Sequence, residues 1–165
     1  MLDFVEKLNS MGLDAKPLGK WEFEVTVPKE RVAEILSYLK SAGFRAFMGL
    51  ACVDWIDDGE FELVYNLQSY GEAIQALVKT RISRVKPIMD SMMQLWELCQ
   101  VYEREIHEFF GVKFVGNPNL EPFFLENWLD TPPLRKDFDT LAYSQELFEF
   151  KEDETHGIET PERIE

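Results

Sequence analysis

Phe61-Glu62-Leu63-Val64-Tyr65-Asn66-Leu67 is the stretch that decides the fold. Phe61, Leu63, Tyr65 and Leu67 recur with a period of two, which places them together on one face of a β-strand. Just before it, Asp57-Asp58-Gly59 has hairpin-turn chemistry: glycine supplies positive φ, and aspartate bonds its own backbone. Phe44 to Ile56, on the other side of that turn, is rich in apolar and β-forming residues, so the pair reads as a β-hairpin. Further along, Ile74, Ala76, Val78, Thr80 and Ile82 alternate against Gln75, Leu77, Lys79 and Arg81. Ala73 to Ile82 is therefore expected to add another antiparallel strand.

Toward the N-terminus, Trp21, Phe23, Val25 and Val27 alternate in the same way until Pro28 closes the strand. Leu2, Val5 and Leu8 sit at helical spacing before Gly12. Val32, Ile35, Leu36 and Leu39 form a second helical face that Gly43 stops, and this helix should lie on the sheet. Arg84, Lys86 and Pro87 end the third alternating run. From Asp90 or Ser91 as N-cap to Gly111, the spacing of Met92, Leu95, Trp96, Cys99, Ile106, Phe109 and Phe110 predicts one amphipathic helix of about 18 residues. After Phe114, Gly116-Asn117-Pro118-Asn119, Pro122 and Pro132-Pro133 punctuate Phe123, Phe124 and Trp128 without any period, and long segments of this kind are usually functional or partner-bound. The expected architecture is α+β: a mainly antiparallel sheet with helices packed on it over residues 1–115, then a long extended partner-binding segment, 116–143. An extended acidic tail, 144–165, follows.

The chain has 165 residues, 45% of them hydrophobic and 13% aromatic, which is enough for one real core. Its 17 Lys+Arg against 31 Asp+Glu give a formal net charge of −14, and this excludes general binding to nucleic acid or to anionic lipid, both of which need concentrated positive charge. Cys52 and Cys99 are far apart, with no Cys-x-x-Cys and no histidine-rich neighbourhood. A disulfide scaffold, a zinc site and an iron–sulfur cluster therefore lack ligands, and a reducing compartment is expected. The N-terminal segment is charged within its first turns, and no apolar run reaches the roughly 18 residues a spanning helix needs. Nucleotide-binding glycine loops, serine-hydrolase elbows and His-Glu-x-x-His are absent.

Two motifs combine charge with bulky apolar groups. In Tyr102-Glu103-Arg104-Glu105-Ile106-His107-Glu108-Phe109-Phe110-Gly111-Val112, helical spacing makes Arg104 to Glu108 and Glu103 to His107 i,i+4 pairs. A metal or acid–base site would need further ligands, and the other histidine, His156, lies in the acidic tail. The choice is thus between a solvated charged face and an interfacial salt-bridge cluster. In Leu134-Arg135-Lys136-Asp137-Phe138, Pro132-Pro133 stiffens the approach, and the pentapeptide is expected to lie strand-like across another surface, with Arg135 forked onto a carboxylate. These ionic groups are expected to become dry only when a second polypeptide covers them. Cys52, Cys99, Met89, Met92 and Met93 read as core filling, and Trp55 beside Asp54 as a sheet-edge aromatic with a turn acid.

Glu103-Arg104-Glu105, two residues, Glu108, two residues, then Gly111-Val112 resembles the signature of the thirty-kilodalton subunit of proton-pumping NADH:quinone oxidoreductase, a family shared with membrane-bound [NiFe] hydrogenases and formate hydrogenlyases. The resemblance continues through Phe114, Gly116 and Pro118 to Leu134-Arg135-Lys136-Asp137-Phe138, and upstream it takes in Asp54 and the Phe61 to Leu67 strand. Glu108 stands where the family usually has Asp, and Asn117 where a His commonly precedes the proline. The resemblance implies an α+β subunit with no catalytic residue, cofactor or metal of its own. It would lie peripherally on the cytoplasmic side of the membrane, in the hydrophilic arm, touching the membrane only indirectly.

Its partners would be the large subunit and a small iron–sulfur subunit, the neighbours carrying iron–sulfur clusters and, in hydrogenase relatives, a nickel–iron centre. The short chain and the Asp130-Thr131-Pro132-Pro133 lead-in favour the hydrogenase-like, ferredoxin-fed branch over a true NADH-dependent complex. Glu103, Arg104, Glu105 and Glu108, with Leu134, Arg135, Lys136 and Asp137, are the expected partner-binding residues. The rival readings are a freestanding acid–base enzyme using Glu105 or Glu108, and an acidic module whose tail engages a basic protein.

Overall fold

Alternation of apolar residues builds a five-stranded sheet in the order β1-β2-β5-β4-β3: β1 is Asp14–Pro17, β2 Glu22–Thr26, β3 Ala46–Trp55, β4 Glu60–Gln68 and β5 Gln75–Ser83. The computed structural model describes residues 1–125, 128 and 130–147. All neighbours in the sheet are antiparallel except β2 and β5, which run parallel. Helices α1 (Leu2–Ser10) and α2 (Val32–Ser41), the latter led in by a 3-10 turn at Lys29–Arg31, pack on one face. There Phe23, Val25, Leu63, Tyr65, Leu67, Ala76 and Val78 are fully buried. Phe4, Phe23 and Phe44 join helix to sheet through edge-on and stacked rings. The predicted α+β class, the hairpin at Asp57-Asp58-Gly59 and the first two helices are all present.

The other sheet face carries charge ladders. Glu24 bonds Lys79 and Lys16 on the flanking strands, and Arg81 gathers Asp58, Glu60 and Glu62 while lying over the Trp55 ring at 4.8 Å. Cross-strand pairs of this kind let a sheet face water without exposing a continuous apolar patch.

Three expectations are corrected. The helix expected from Asp90 or Ser91 begins only at Cys99: α3 spans Cys99–Phe110. The residues before it are already engaged. Ile88–Asp90 form β6, parallel to β7 (Lys113–Val115), the Ser91 amide bonds the Val115 carbonyl at 2.8 Å, and the chain from Met92 to Leu98 runs through successive turns. Second, the segment around Leu134 to Phe138 is not strand-like. The Arg135 amide bonds the Pro132 carbonyl and the Phe138 amide the Arg135 carbonyl, each at 3.1 Å, making two consecutive tight turns. Third, Ser144–Leu147, placed in the tail by composition, end a helix, α4 (Thr140–Leu147). The rest of the expected tail, 148–165, lies outside the described residues, and β1 went unforeseen because four residues are too few for a period to show.

Candidate functional site

α3 forms because Cys99, Glu103, Ile106 and Phe110 fall on one helical stripe that faces the core, with Cys99, Glu103 and Ile106 buried. A carboxylate on that stripe is costly unless its oxygens are bonded. Glu103, with no exposed surface, accepts hydrogen bonds from Ser91 Oγ at 2.6 Å, the Met92 amide at 2.8 Å and Asn117 Nδ2 at 2.9 Å. Burial pushes its carboxyl above the ordinary value, and these three donors pull it partly back. The group ties together the β6 exit, α3 and the loop after β7. Asn117 extends the tie by donating to the Gln100 carbonyl and accepting from the Asn119 amide.

The neighbouring charged side chains reach the other way. Arg104 donates to the carbonyls of Glu121 and Pro122 at 2.6 and 2.5 Å and lies over the Phe123 ring. Glu108 accepts the amides of Phe123, Phe124 and Leu125 at 3.0, 2.9 and 2.6 Å. A segment with no strand partner among the described residues thus has two of its carbonyls and three of its amides bonded by one cation and one anion of α3. The expected Arg104–Glu108 and Glu103–His107 pairs do not form: each group has a better partner off the helix, and His107 Nδ1 bonds the Val112 carbonyl at 2.8 Å. Glu105 is half-exposed and makes no side-chain hydrogen bond or ion pair among the described residues.

The second motif converges on the end of the first. Gly111 closes α3 in the left-handed conformation, φ +78°. Carbonyls that the last helical turn leaves unbonded are then taken up by residues from the double turn. The Leu134 amide bonds the Phe109 carbonyl at 3.1 Å and Arg135 Nε bonds the Phe110 carbonyl at 2.7 Å, a cation at a helix C-terminus, where the dipole favours it. Arg135 therefore caps a helix instead of forking onto a carboxylate.

The forked bond belongs to Arg84, which stands outside both motifs and which the spacing marked only as the end of a strand. Arg84 binds Asp54 through Nε–Oδ1 at 2.9 Å and Nη2–Oδ2 at 3.2 Å, and it also pairs with Asp137. The Lys136 amide donates to Asp54 Oδ2 at 2.9 Å. Arg84 and Arg135 both lie over the buried Phe61 ring, at 5.7 and 5.2 Å. Asp54 is thus no turn acid but the buried centre of a clasp, 4% exposed. Burial would raise its carboxyl, but Arg84 and the Lys136 amide outweigh that and hold it below the ordinary value; Asp137 is lowered by Arg84, and Arg84 is raised by both. A signal existed: Asp54 sits opposite Phe61 in the hairpin register, on the apolar face.

The premise that these ions are dried only by a second polypeptide is therefore corrected, since this chain buries Glu103 and Asp54 by itself. Among the described residues no group of three His, Cys, Asp or Glu could hold a metal, and no helix is long and apolar enough to cross a membrane. Met89, Met92 and Cys99 are core residues as expected. Burial pushes the Cys52 and Cys99 thiols up to about 12, away from nucleophile chemistry.

Residues 25–144 match the family described as respiratory-chain NADH dehydrogenase, 30 Kd subunit. The chain belongs to this family. Among its relatives, a subunit of the F(420)H(2) dehydrogenase of Methanosarcina mazei is 30% identical over 138 residues, covering 82% of this chain and 85% of the relative. A subunit of the NADH-quinone oxidoreductase of Moorella thermoacetica is 34% identical over 115 residues, covering 69% and 78%. The probable mitochondrial NADH-ubiquinone oxidoreductase 30.4 kDa subunit of Candida maltosa is 34% identical over 131 residues, and there the match spans 47% of the relative's length. A chain in the structure of the membrane-bound sulfane sulfur reductase, an archaeal respiratory membrane complex, superposes with a TM-score of 0.80 at 29% identity, covering 99% of this chain and 98% of that one. This family member therefore shares its fold with a subunit of a membrane-bound respiratory assembly.

Proposed function

We propose that this chain is a non-catalytic structural subunit of the hydrophilic arm of a complex-I-like, membrane-bound oxidoreductase. It binds the large subunit and neighbours a small iron–sulfur subunit, on the cytoplasmic side. Within that class the reading favours the branch of membrane-bound [NiFe] hydrogenases and related ferredoxin-dependent complexes. The choice of branch rests on the Asp130-Thr131-Pro132-Pro133 lead-in and the short chain, while the observation that carries the subunit reading is the end-to-end match to a chain of the archaeal respiratory complex, in fold and in length. The chemistry of the site supports it. Glu103 and Glu108 are saturated with donors, both thiols are held protonated, and Arg84, Arg104 and Arg135 hold backbone and carboxylates of this chain, which suits a scaffold and leaves no free acid–base pair among them. Redox groups would reside on the neighbours.

The second reading, the corresponding subunit of a proton-pumping NADH:quinone oxidoreductase, is favoured by the 34% identity to the Moorella thermoacetica protein. A freestanding acid–base enzyme loses Glu108 as its catalytic group, because three amides occupy that carboxylate.

The test is to tag the full chain in its own cells, solubilise the membranes mildly and identify what co-purifies. The expected result is a large subunit and an iron–sulfur subunit, with hydrogen evolution from reduced ferredoxin in the isolated assembly. An assembly that instead oxidises NADH moves the assignment to the second reading, and turnover by the chain alone overturns both.

A further inference from the structure

Three segments distant in sequence meet beyond the C-terminal end of α3. Residues 84–87 are tied to 134–137 through Arg84 and Asp137. They are tied to β7 through the Lys113 amide, which bonds the Pro87 carbonyl at 2.8 Å. Arg135 fastens the third segment to Phe110. On these same segments Val85 is 94% exposed and Leu134 55% exposed, and Lys86, Lys113 and Lys136 are exposed. Among the described residues none of these three lysines has a carboxylate within ion-pair distance, although Arg84 in their midst holds two.

A chain of net charge −14 has acid to spare for neutralising three lysines, yet among the described residues the two acids tied into this corner, Asp54 and Asp137, are both held by Arg84. The lysine charge is left unspent, around two apolar side chains that gain nothing from water. Charged rim around apolar centre is the composition of a protein contact. We propose that this corner is a docking surface for a carboxylate-rich segment of another protein, whose apolar residue seats between Val85 and Leu134 while its acids pair with Lys86, Lys113 and Lys136. The inference rests on the subunit reading and adds the partner's chemistry to it. An anionic membrane surface is the poorer fit, because three lysines on so acidic a chain provide too little attraction for lipid.

The test uses the native assembly, purified through a tag on the full chain and treated with a carbodiimide, which joins a lysine amine to a contacting carboxylate as an amide. Mass spectrometry is expected to find Lys86, Lys113 and Lys136 joined to Asp or Glu of a second protein. The variant K86E/K113E/K136E should recover about tenfold less of that protein at low salt, because like charges then face each other, while K86R/K113R/K136R recovers it in full. Amide links confined to this chain's own acids after residue 147, or undiminished recovery by the charge-reversed variant, overturn the proposal and leave the subunit reading standing. A wild-type chain that brings down no second protein overturns both. Because the links are formed on the wild-type chain, they decide the matter even if the reversed variant does not fold.

Discussion

Gly111 has two independent reasons to be glycine. Its φ of +78° is strained for any residue with a Cβ, and a Cβ there would stand 3.0 Å from Arg135 Nη2 and 3.2 Å from Pro132 Cγ. Gly111→Ala should therefore cost about 1–2 kcal/mol for the backbone alone, and more if Arg135 is displaced from the helix end; urea denaturation at equal slope would show it as a lower midpoint. Glu103 makes a prediction of a different kind. Its folded-state carboxyl is raised above the ordinary value of 4.5, so the native state holds that proton more tightly than the unfolded chain. The stabilisation is full below the unfolded value and is lost as pH rises through the folded one. The stability advantage of wild type over Glu103→Gln should shrink as pH rises from about 4 toward neutrality, and melting curves of the pair across that range check it; an advantage that grows would refute the direction. Glu103→Ala, which strands the Ser91, Met92 and Asn117 donors, should cost about 3 kcal/mol or more at any pH.

Among the elements, α3 and the double turn depend on each other. The helix lacks carbonyl partners at its end until Leu134 and Arg135 arrive, and the turns lack an anchor until Arg84 grips Asp54 and Asp137. Removing Arg84 leaves Asp54 buried without its counter-ion, so Arg84→Ala should destabilise by about 3–5 kcal/mol and speed proteolytic nicking between residues 131 and 139. Nicking no faster than in wild type would mean that the helix cap alone holds the turns. Asp54 and Asp137 both titrate below their ordinary 3.8. Their contribution is thus present above that value and lost as pH falls through the depressed ones, and acid should release the double turn before it melts the sheet. Arg84 was hidden in the sequence because a lone arginine after a strand resembles a solvated one. Its significance exists only once Asp54, on β3 two strands away in the sheet, and Asp137, far along the chain, are brought together.

Across the whole molecule, two kinds of bonding coexist. The sheet is held by ladders over fully buried apolar residues, whereas the strap from Glu121 to Leu125, whose residues are exposed or half-exposed, is held by the Arg104 and Glu108 side chains. Amides of Tyr65 and Val78 should therefore exchange hydrogen only through global unfolding, and those of Phe123 to Leu125 through a smaller local opening; equal protection at both places would show that strap and sheet form one cooperative unit. The alternation of Phe61 to Leu67 and Ile74 to Ile82, the Asp57-Asp58-Gly59 turn and the helical stripes of α1 and α2 are local patterns, and local patterns suffice to specify strands, hairpin and fold class. The two charged motifs were also legible as special, through their mixture of ions with aromatics. What their ions bind was not. Helical spacing pairs Arg104 with Glu108, and only the path of the strap offers Arg104 two carbonyls and Glu108 three amides instead. Likewise the apolar spacing from Met92 onward permits a longer α3, and only the pairing of β6 with β7 and the pull of Glu103 on Ser91 and Met92 stop it at Cys99. Periodicity along a chain records which face is buried; which donor meets which acceptor depends on distances between segments far apart in sequence, and those exist only in the folded molecule.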